Sequence, residues 1–321
     1  MMKTALAWLK VFFSVALIWL LYQRIDNEQL WQSIQGVGAT TLFAALGLQL
    51  ASTLTAAFRW SLIQKWLGDP PNTAFYLKSY FKGSLFNQLL PTSIGGDAYR
   101  IFENGHRIGD HKEAFFGVFI DRIAGLLGLL LLNAVALWWL PELLPNNITH
   151  GISIILAIGF AGALFGLLMH KLPAWKLPLW SSLQKLSSRF AQVYNCPRTI
   201  SIQMGLSAIT HLFSMLVLVT LGQALGLNFD LLVYLVVIPP VILLTLLPLS
   251  FAGWGIREGA MIGIFALIGA PEAPVLALSI IYGLTLIAAS LPGLWFFTKD
   301  RQWWQNNNID DTENKKDSSC A

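Results

Sequence analysis

The chain has 321 residues; 55% are hydrophobic, 12% are charged, the mean hydropathy is +0.59 and the formal net charge is +4. A soluble domain usually carries about 25% charged residues, so this composition excludes an ordinary water-soluble fold and predicts a chain solvated by lipid. The apolar runs are long and continuous rather than alternating, which argues against a β-barrel and predicts an all-α polytopic membrane bundle.

Eight mostly apolar spans fall near residues 4–22, 39–58, 114–139, 151–169, 200–224, 231–247, 256–270 and 275–297. Lys3 and Lys10 lie at the start of the first, as in a signal peptide. The residues that follow it are Gln23, Arg24, Ile25 and Asp26, with no small-x-small cleavage site, so the span is expected to be retained. The seventh is short for a crossing of about 20 residues and is expected to be complete, re-entrant or half of a broken helix. Residues 1–299 are read as the bundle. Residues 300–321, rich in Asn, Asp and Lys, are too polar to bury a core and are read as a disordered tail.

Positive charge orients the spans. Arg59, Lys65, Lys78, Lys82, Arg100, Arg107 and Lys112 lie between spans two and three; Lys171, Lys176, Lys185, Arg189 and Arg198 lie between four and five; Lys299, Arg301, Lys315 and Lys316 follow the last. The opposite connections hold only Arg24. This asymmetry predicts a multi-pass membrane protein with both termini cytoplasmic and an even number of crossings. Two of the basic connections, 73–90 and 179–194, have helical apolar spacing: Leu77, Phe81, Leu85 and Leu89 in one, Leu179, Leu183, Leu186 and Phe190 in the other. Each is expected either to lie in the headgroup layer, its cations drawn to anionic lipid, or to pack under the bundle as a connector.

Two segments carry the informative polar residues. Pro91-Thr92-Ser93-Ile94-Gly95-Gly96-Asp97-Ala98-Tyr99-Arg100 and Pro248-Leu249-Ser250-Phe251-Ala252-Gly253-Trp254-Gly255-Ile256-Arg257-Glu258 match as Pro-x-Ser-x-x-Gly-x-x-x-Arg. The match suggests a degenerate internal duplication, of parallel or inverted symmetry, and interrupted segments at matching positions mark substrate sites in transporters. Proline ends one helix and suits the first turn of the next. Ser93 and Ser250 are candidate caps, and Gly95, Gly96, Gly253 and Gly255 allow close approach. An exposed helix start attracts an anion, and Arg100 and Arg257 can hold phosphate bidentately, with Asp97 and Glu258 to orient them. These residues are therefore expected to bind the phosphate of an anionic lipid in a shared polar chamber; the competing expectation is a pair of tight turns between packed helices.

Asp121 and Arg122 sit inside the third apolar stretch, where charges need partners or a cavity. Adjacent helical residues point about 100° apart, so each is expected to find a different partner, Arg100 or Arg257 for Asp121, unless the span begins after them. Asn133 and His211 are expected to hydrogen-bond between helices. The tryptophans at span ends, including Trp138, Trp139, Trp295, Trp303 and Trp304, are read as an interfacial belt. Cys196 and Cys320 lack ligand spacing and fall in cytoplasmic segments, so neither a disulfide nor a metal site is expected. Nucleotide-binding, zinc-protease, serine-hydrolase and dithiol motifs are all missing, and no enzymatic activity, cofactor or nucleic-acid partner is expected.

At these segments the sequence resembles the lysylphosphatidylglycerol synthase transmembrane family, the flippase-like integral membrane proteins. The resemblance rests on Phe86-Asn87-Gln88-Leu89-Leu90-Pro91 leading to Ser93-Ile94-Gly95-Gly96-Asp97-x-x-Arg100, on Asp121-Arg122-x-x-Gly125, and on Pro248-x-Ser250 leading to Gly255-Ile256-Arg257-Glu258-Gly259, and spans about 80–297. It implies a bundle of about eight helices in a bacterial or archaeal plasma membrane that moves or handles lipids, as a stand-alone member without a synthase domain. Stand-alone members are associated with hopanoid or polyprenyl-lipid pathways. The chain departs from the family where Ala252-Gly253 stands for a glycine pair and where Tyr282 is followed by Gly283 instead of arginine. Two other functions compete with lipid transport: an accessory scaffold beside lipid-biosynthesis or envelope-assembly enzymes, and a membrane enzyme using Asp97 or Asp121 as base or metal ligand.

Overall fold

The computed structural model describes residues 10–300 apart from 11, 13, 18, 24, 71, 91–93, 174–179 and 247–249. The tail from residue 301, and with it Trp303, Trp304 and Cys320, lies outside the described residues, as do Leu179, Ser93 and the motif prolines Pro91 and Pro248. The fold is all-α. In chain order the helices are α1 (Ser14–Gln23), α2 (Asn27–Gln35), α3 (Ala39–Trp66), α4 (Thr73–Leu89), α5 (Gly95–Ile108), α6 (His111–Trp139), α7 (Asn146–Leu168), α8 (Trp180–Val193), α9 (Pro197–Ala224), α10 (Leu231–Thr245), α11 (Ile256–Ala266) and α12 (Glu272–Ser290). A 3₁₀ turn, Met169–Lys171, extends α7.

Among the described residues five segments are long and apolar enough to cross a bilayer: Ala39–Trp66, His111–Trp139, Asn146–Lys171, Pro197–Ala224 and Glu272–Asp300. The polytopic bundle expected from composition is therefore present. Local signals set its helix ends. Asp26 caps α2 through the Glu28 and Gln29 N–H groups, Asp110 caps α6 through those of Lys112 and Glu113, and Pro197 occupies the first turn of α9. Gly109 ends α5 in the left-handed conformation that favours glycine.

The remaining apolar helices pair into hairpins. At 1.5 Å per residue, α10 with 15 residues and α11 with 11 are about 22 and 16 Å long, short of a hydrocarbon core of about 30 Å. They run antiparallel, since Tyr234 packs on Phe265 near their far ends and Thr245 lies against Gly253 near the turn. Helices α4 and α5 form a second antiparallel hairpin. Phe86 stacks on Tyr99 at 4.6 Å, Asn87 Oδ1 accepts the Gly96 N–H at 2.8 Å, and Lys82 bonds Glu103. A Cβ on Gly96 would sit 1.9 Å from the Gly83 carbonyl oxygen, so only glycine lets these backbones approach so closely.

Segment 73–90 is thus a helix packed into the bundle, as the connector expectation had it. It contacts α3, α5 and α12, and Lys82 is buried and ion-paired with Glu103 and, at 2.6 Å, with Asp300. Helix α8 keeps the expected amphipathic character: Phe190 is buried, Leu183 and Lys185 are exposed, and Arg189 pairs with Glu113 at 2.8 Å.

The long helices α3 and α9 pack side by side and antiparallel. Ser52 reaches Thr210 and Ser214, whereas Arg59, seven residues further along α3, reaches back to Ser207. The Trp66 end of α3 therefore lies beside α8 and the start of α9, where Gln192 Nε2 donates to the Trp66 carbonyl at 2.9 Å. Hairpin α4–α5 leaves from that end and hairpin α10–α11 from the opposite one. The main apolar core lies among α6, α9, α10, α11 and α12, with α2 against its outer edge. Asn133 and His211 bond between helices as expected, to the Leu235 and Val236 carbonyls and to the Gly125 carbonyl. Trp138, Trp139 and Trp295 are exposed near helix ends, where an interfacial belt needs them.

Candidate functional site

The start of α5 brings Asp97 and Arg100 against the first third of α6, and a five-residue ionic cluster forms there. Arg100 donates to Asp121 Oδ2 at 2.8 Å and to Asp97 Oδ1 at 3.2 Å. Arg122 Nε donates to Asp97 Oδ2 at 2.5 Å. The fifth member is Arg59, whose Nε reaches Asp121 Oδ1 at 2.9 Å while its other nitrogens reach the Asp121 carbonyl and Ser207 Oγ at 3.2 and 3.1 Å. Asp121 and Arg122 diverge to different partners, as adjacent helical positions require. Gly125 clears space for Arg59, since a Cβ there would lie 3.2 Å from a guanidinium nitrogen. The Arg100 guanidinium lies against two aromatic rings, 4.0 Å from the Trp60 ring centre and 4.5 Å from that of Tyr80.

Sequence reasoning placed Arg59 in the connection after span two. Helix α3 instead runs on to Trp66 and buries Arg59 inside the bundle. The signal was available, because Leu62, Ile63 and Trp66 continue the apolar pattern beyond it. Ser207 had no comparable signal.

Three guanidinium groups face two carboxylates, which leaves one positive charge in excess. Arg59, Arg100 and Asp121 are buried, but the Arg122 side chain is 42% exposed. Buried Arg100 Nε has no acceptor among the described residues. Asp97 and Asp121 are both committed to arginines, and among the described residues no group of three or more His, Cys, Asp or Glu side chains could hold a metal.

The second motif folds differently. Ala252, Gly253 and Gly255 all have positive φ, and the turn they make opens α11 at Gly255. The expected cap, Ser250, does not serve: it is buried and its hydroxyl has no hydrogen-bond partner among the described residues. Glu258 caps instead, its Oε2 accepting the Gly255 N–H at 2.6 Å. Glu258 Oε1 accepts from Arg257 at 2.7 Å and from Ser279 Oγ at 2.9 Å. The helix start expected to receive a ligand anion already holds the chain's own carboxylate. At the first motif the Gly96 N–H is likewise taken, by Asn87.

The Arg257 guanidinium lies 4.6 Å from the Trp254 ring and fills the space that Gly283 leaves, where a Cβ would sit 2.2 Å from it. The departure from the family at Gly283 thus has a local reason. Helix α1 covers this turn: Ser14 Oγ accepts the Phe251 N–H at 2.9 Å, and Leu17 abuts Gly255.

Among the described residues no hydrogen bond or ion pair joins the clusters, so the expected shared chamber is two separate sites, the first with one positive charge in excess and the second neutralised by its own carboxylate. Between them runs a polar stripe on the α3–α9 interface, Ser52 with Ser207, Thr210 and Ser214.

Long apolar helices around buried ionic clusters define a multi-pass helical membrane protein whose polar groups face inward. The family model for the lysylphosphatidylglycerol synthase TM region matches residues 7–293, and the chain belongs to that family. No curated protein matches the chain.

Proposed function

We propose that this protein is a flippase-like lipid transporter, moving a lipid with a phosphate-bearing headgroup across the plasma membrane without catalysing a reaction. The lipid is a phospholipid, a polyprenyl lipid or a lipid of the hopanoid pathway. The observation that carries the reading is the pair of short hairpins, α4–α5 and α10–α11, which leave from opposite ends of the bundle with a related Gly-x-x-x-Arg turn at each tip. Paired broken helices of this kind, entering from opposite faces, are the construction of inverted-repeat transporters. In this reading α3–α6 and α9–α12 are the two repeats, and the hairpins are re-entrant. The first apolar span, 4–22, together with α3, α6, α7, α9 and α12, then makes six crossings in place of eight. The count stays even, and the basic ends of α3 and α12 face the cytoplasm with both termini.

The excess positive charge of the first cluster supports it as the headgroup site, with Asp97 and Asp121 holding the arginines and Arg122 offering its open edge to phosphate. A proteoliposome assay with fluorescent phospholipid and polyprenyl-phosphate analogues tests the reading. Wild-type protein is expected to accelerate exchange between leaflets and Arg122→Ala and Arg100→Ala to slow it. Equal rates in protein-containing and empty vesicles would refute transport.

One observation favours a scaffold reading: the second cluster is fully self-neutralised and sealed by α1, as a structural ion pair would be. Stable co-purification with a lipid or envelope enzyme, together with transport no faster than in empty vesicles, would support it.

A further inference from the structure

Helices α6, α7 and α8 enclose an apolar groove of about 320 Å³, within the range of small-ligand pockets. Phe119, Ile123 and Leu126 of α6 form one wall and Leu183, Leu186 and Phe190 of α8 close one end. Along α7 the floor is glycine. Gly159 packs tightly on Leu130, but nothing lies within 4 Å of where a Cβ would sit on Gly162 or Gly166. The groove runs along α7 from Ile158 to Met169. At 1.5 Å per residue that is about 16 Å, the depth of one leaflet of a hydrocarbon core about 30 Å thick. Helix α7 is also the least buried of the five long spans, so the groove opens to lipid.

Arg122 stands on the flank of this groove. It lies three residues after Phe119 and four before Leu126, on the same side of α6. Phe115 and Phe119, both exposed, continue its stripe outward. A half-exposed guanidinium on a lipid-facing stripe is costly unless an anion meets it. Its ion-pair partner among the described residues, Asp97, is shared with Arg100.

We propose that this groove docks one acyl chain of an anionic phospholipid whose phosphate is held by Arg122. Charge complementarity selects the anionic head, and the length and apolar lining of the groove select the chain. The proposal deepens the lipid-transport reading by giving its substrate a place of entry, but docking can occur without transport, so the two can fail separately.

The test uses the full chain in phosphatidylcholine nanodiscs doped with phosphatidylglycerol that carries a photoreactive group on its acyl chain, adducts being mapped by mass spectrometry. Adducts are expected on α7 between Gly159 and Met169 and on α8, and far fewer with a phosphatidylcholine probe. Arg122→Gln should reduce phosphatidylglycerol capture about tenfold, the equivalent of 1.4 kcal/mol of lost charge-assisted bonding. Arg122→Lys should retain part of it. Gly162→Leu, which enters open space and leaves the ionic cluster intact, should block capture of both probes. Adducts scattered over other spans, equal capture of the two probes, or indifference to both Arg122→Gln and Gly162→Leu would overturn the proposal. Groove adducts in a protein that fails to move lipid would uphold docking and refute transport. Transport by a protein whose adducts are scattered, or whose capture is indifferent to both variants, would do the reverse.

Discussion

The two hairpin turns share a motif but differ in how they treat charge. At α4–α5 the arginine joins a network drawn from α3, α5 and α6, with three guanidinium groups against two carboxylates and one of the three left half open. At α10–α11 the arginine pairs with the very next residue, is closed over by Trp254, and lies beneath α1. The positions that make the difference are adjacent pairs on the following long helix: Asp121-Arg122 on α6, and Tyr282-Gly283 on α12. Where the first hairpin meets added charge, the second meets an aromatic ring and a glycine whose missing side chain leaves room for its own arginine. The shared motif sets a helix break; the neighbouring span decides whether that break becomes a charged site or a neutral plug.

The sharpest way to break this comparison is to remove the central anion of the first cluster. Asp121→Asn leaves Arg59 and Arg100 buried without their common carboxylate, and breaking such a pair costs about 3–5 kcal/mol. The detergent-solubilised protein is expected to lose most of its thermal stability, read as a fall in melting temperature. A variant as stable as wild type would mean that the network is not the buried assembly described.

A smaller effect is expected at the hairpin itself. Gly96→Ala forces a methyl group into the Gly83 carbonyl and should cost about 1–3 kcal/mol as the helices part. Gly162→Ala, facing open space, should change the melting temperature little by comparison.

The second cluster should tolerate simplification. Replacing both Arg257 and Glu258 by methionine removes the pair together, and such replacements of buried ion pairs are commonly neutral or stabilising by about 1–4 kcal/mol. Transport should persist in that double variant while Arg122→Ala impairs it. Loss of transport in the double variant with stability retained would give the second hairpin an active role.

The last prediction changes no energy and fixes orientation. Cys196 is free and partly exposed at the start of α9, and hydrogen bonding with Thr199 holds its thiol below the ordinary range, favouring the reactive thiolate. In a Cys320→Ser background, an impermeant maleimide should label Cys196 in inside-out vesicles and not in right-side-out ones. The opposite result would invert the assignment of both hairpins.

Much of the fold was legible because lipid imposes a simple grammar. Continuous apolar runs located the long helices to within a turn or two at most ends. Depth was harder to read. Segment 73–90 looks like a surface helix by spacing, yet it buries Lys82, because Glu103 and Asp300 are brought to it by other helices. Arg59 was read as a connecting-loop cation because arginine near a span end usually snorkels outward; its inward turn depends on Asp121, 62 residues away.

The sequence by itself determined that this chain folds as membrane helices broken at two related turns, and that those turns carry guanidinium and carboxylate groups, since composition, periodicity and backbone restriction act locally. Only the tertiary structure decided which charges meet. Ion pairing in a low-dielectric interior is settled by packing between helices far apart in sequence, and so a repeated motif gave one half-open cationic cluster and one closed neutral pair.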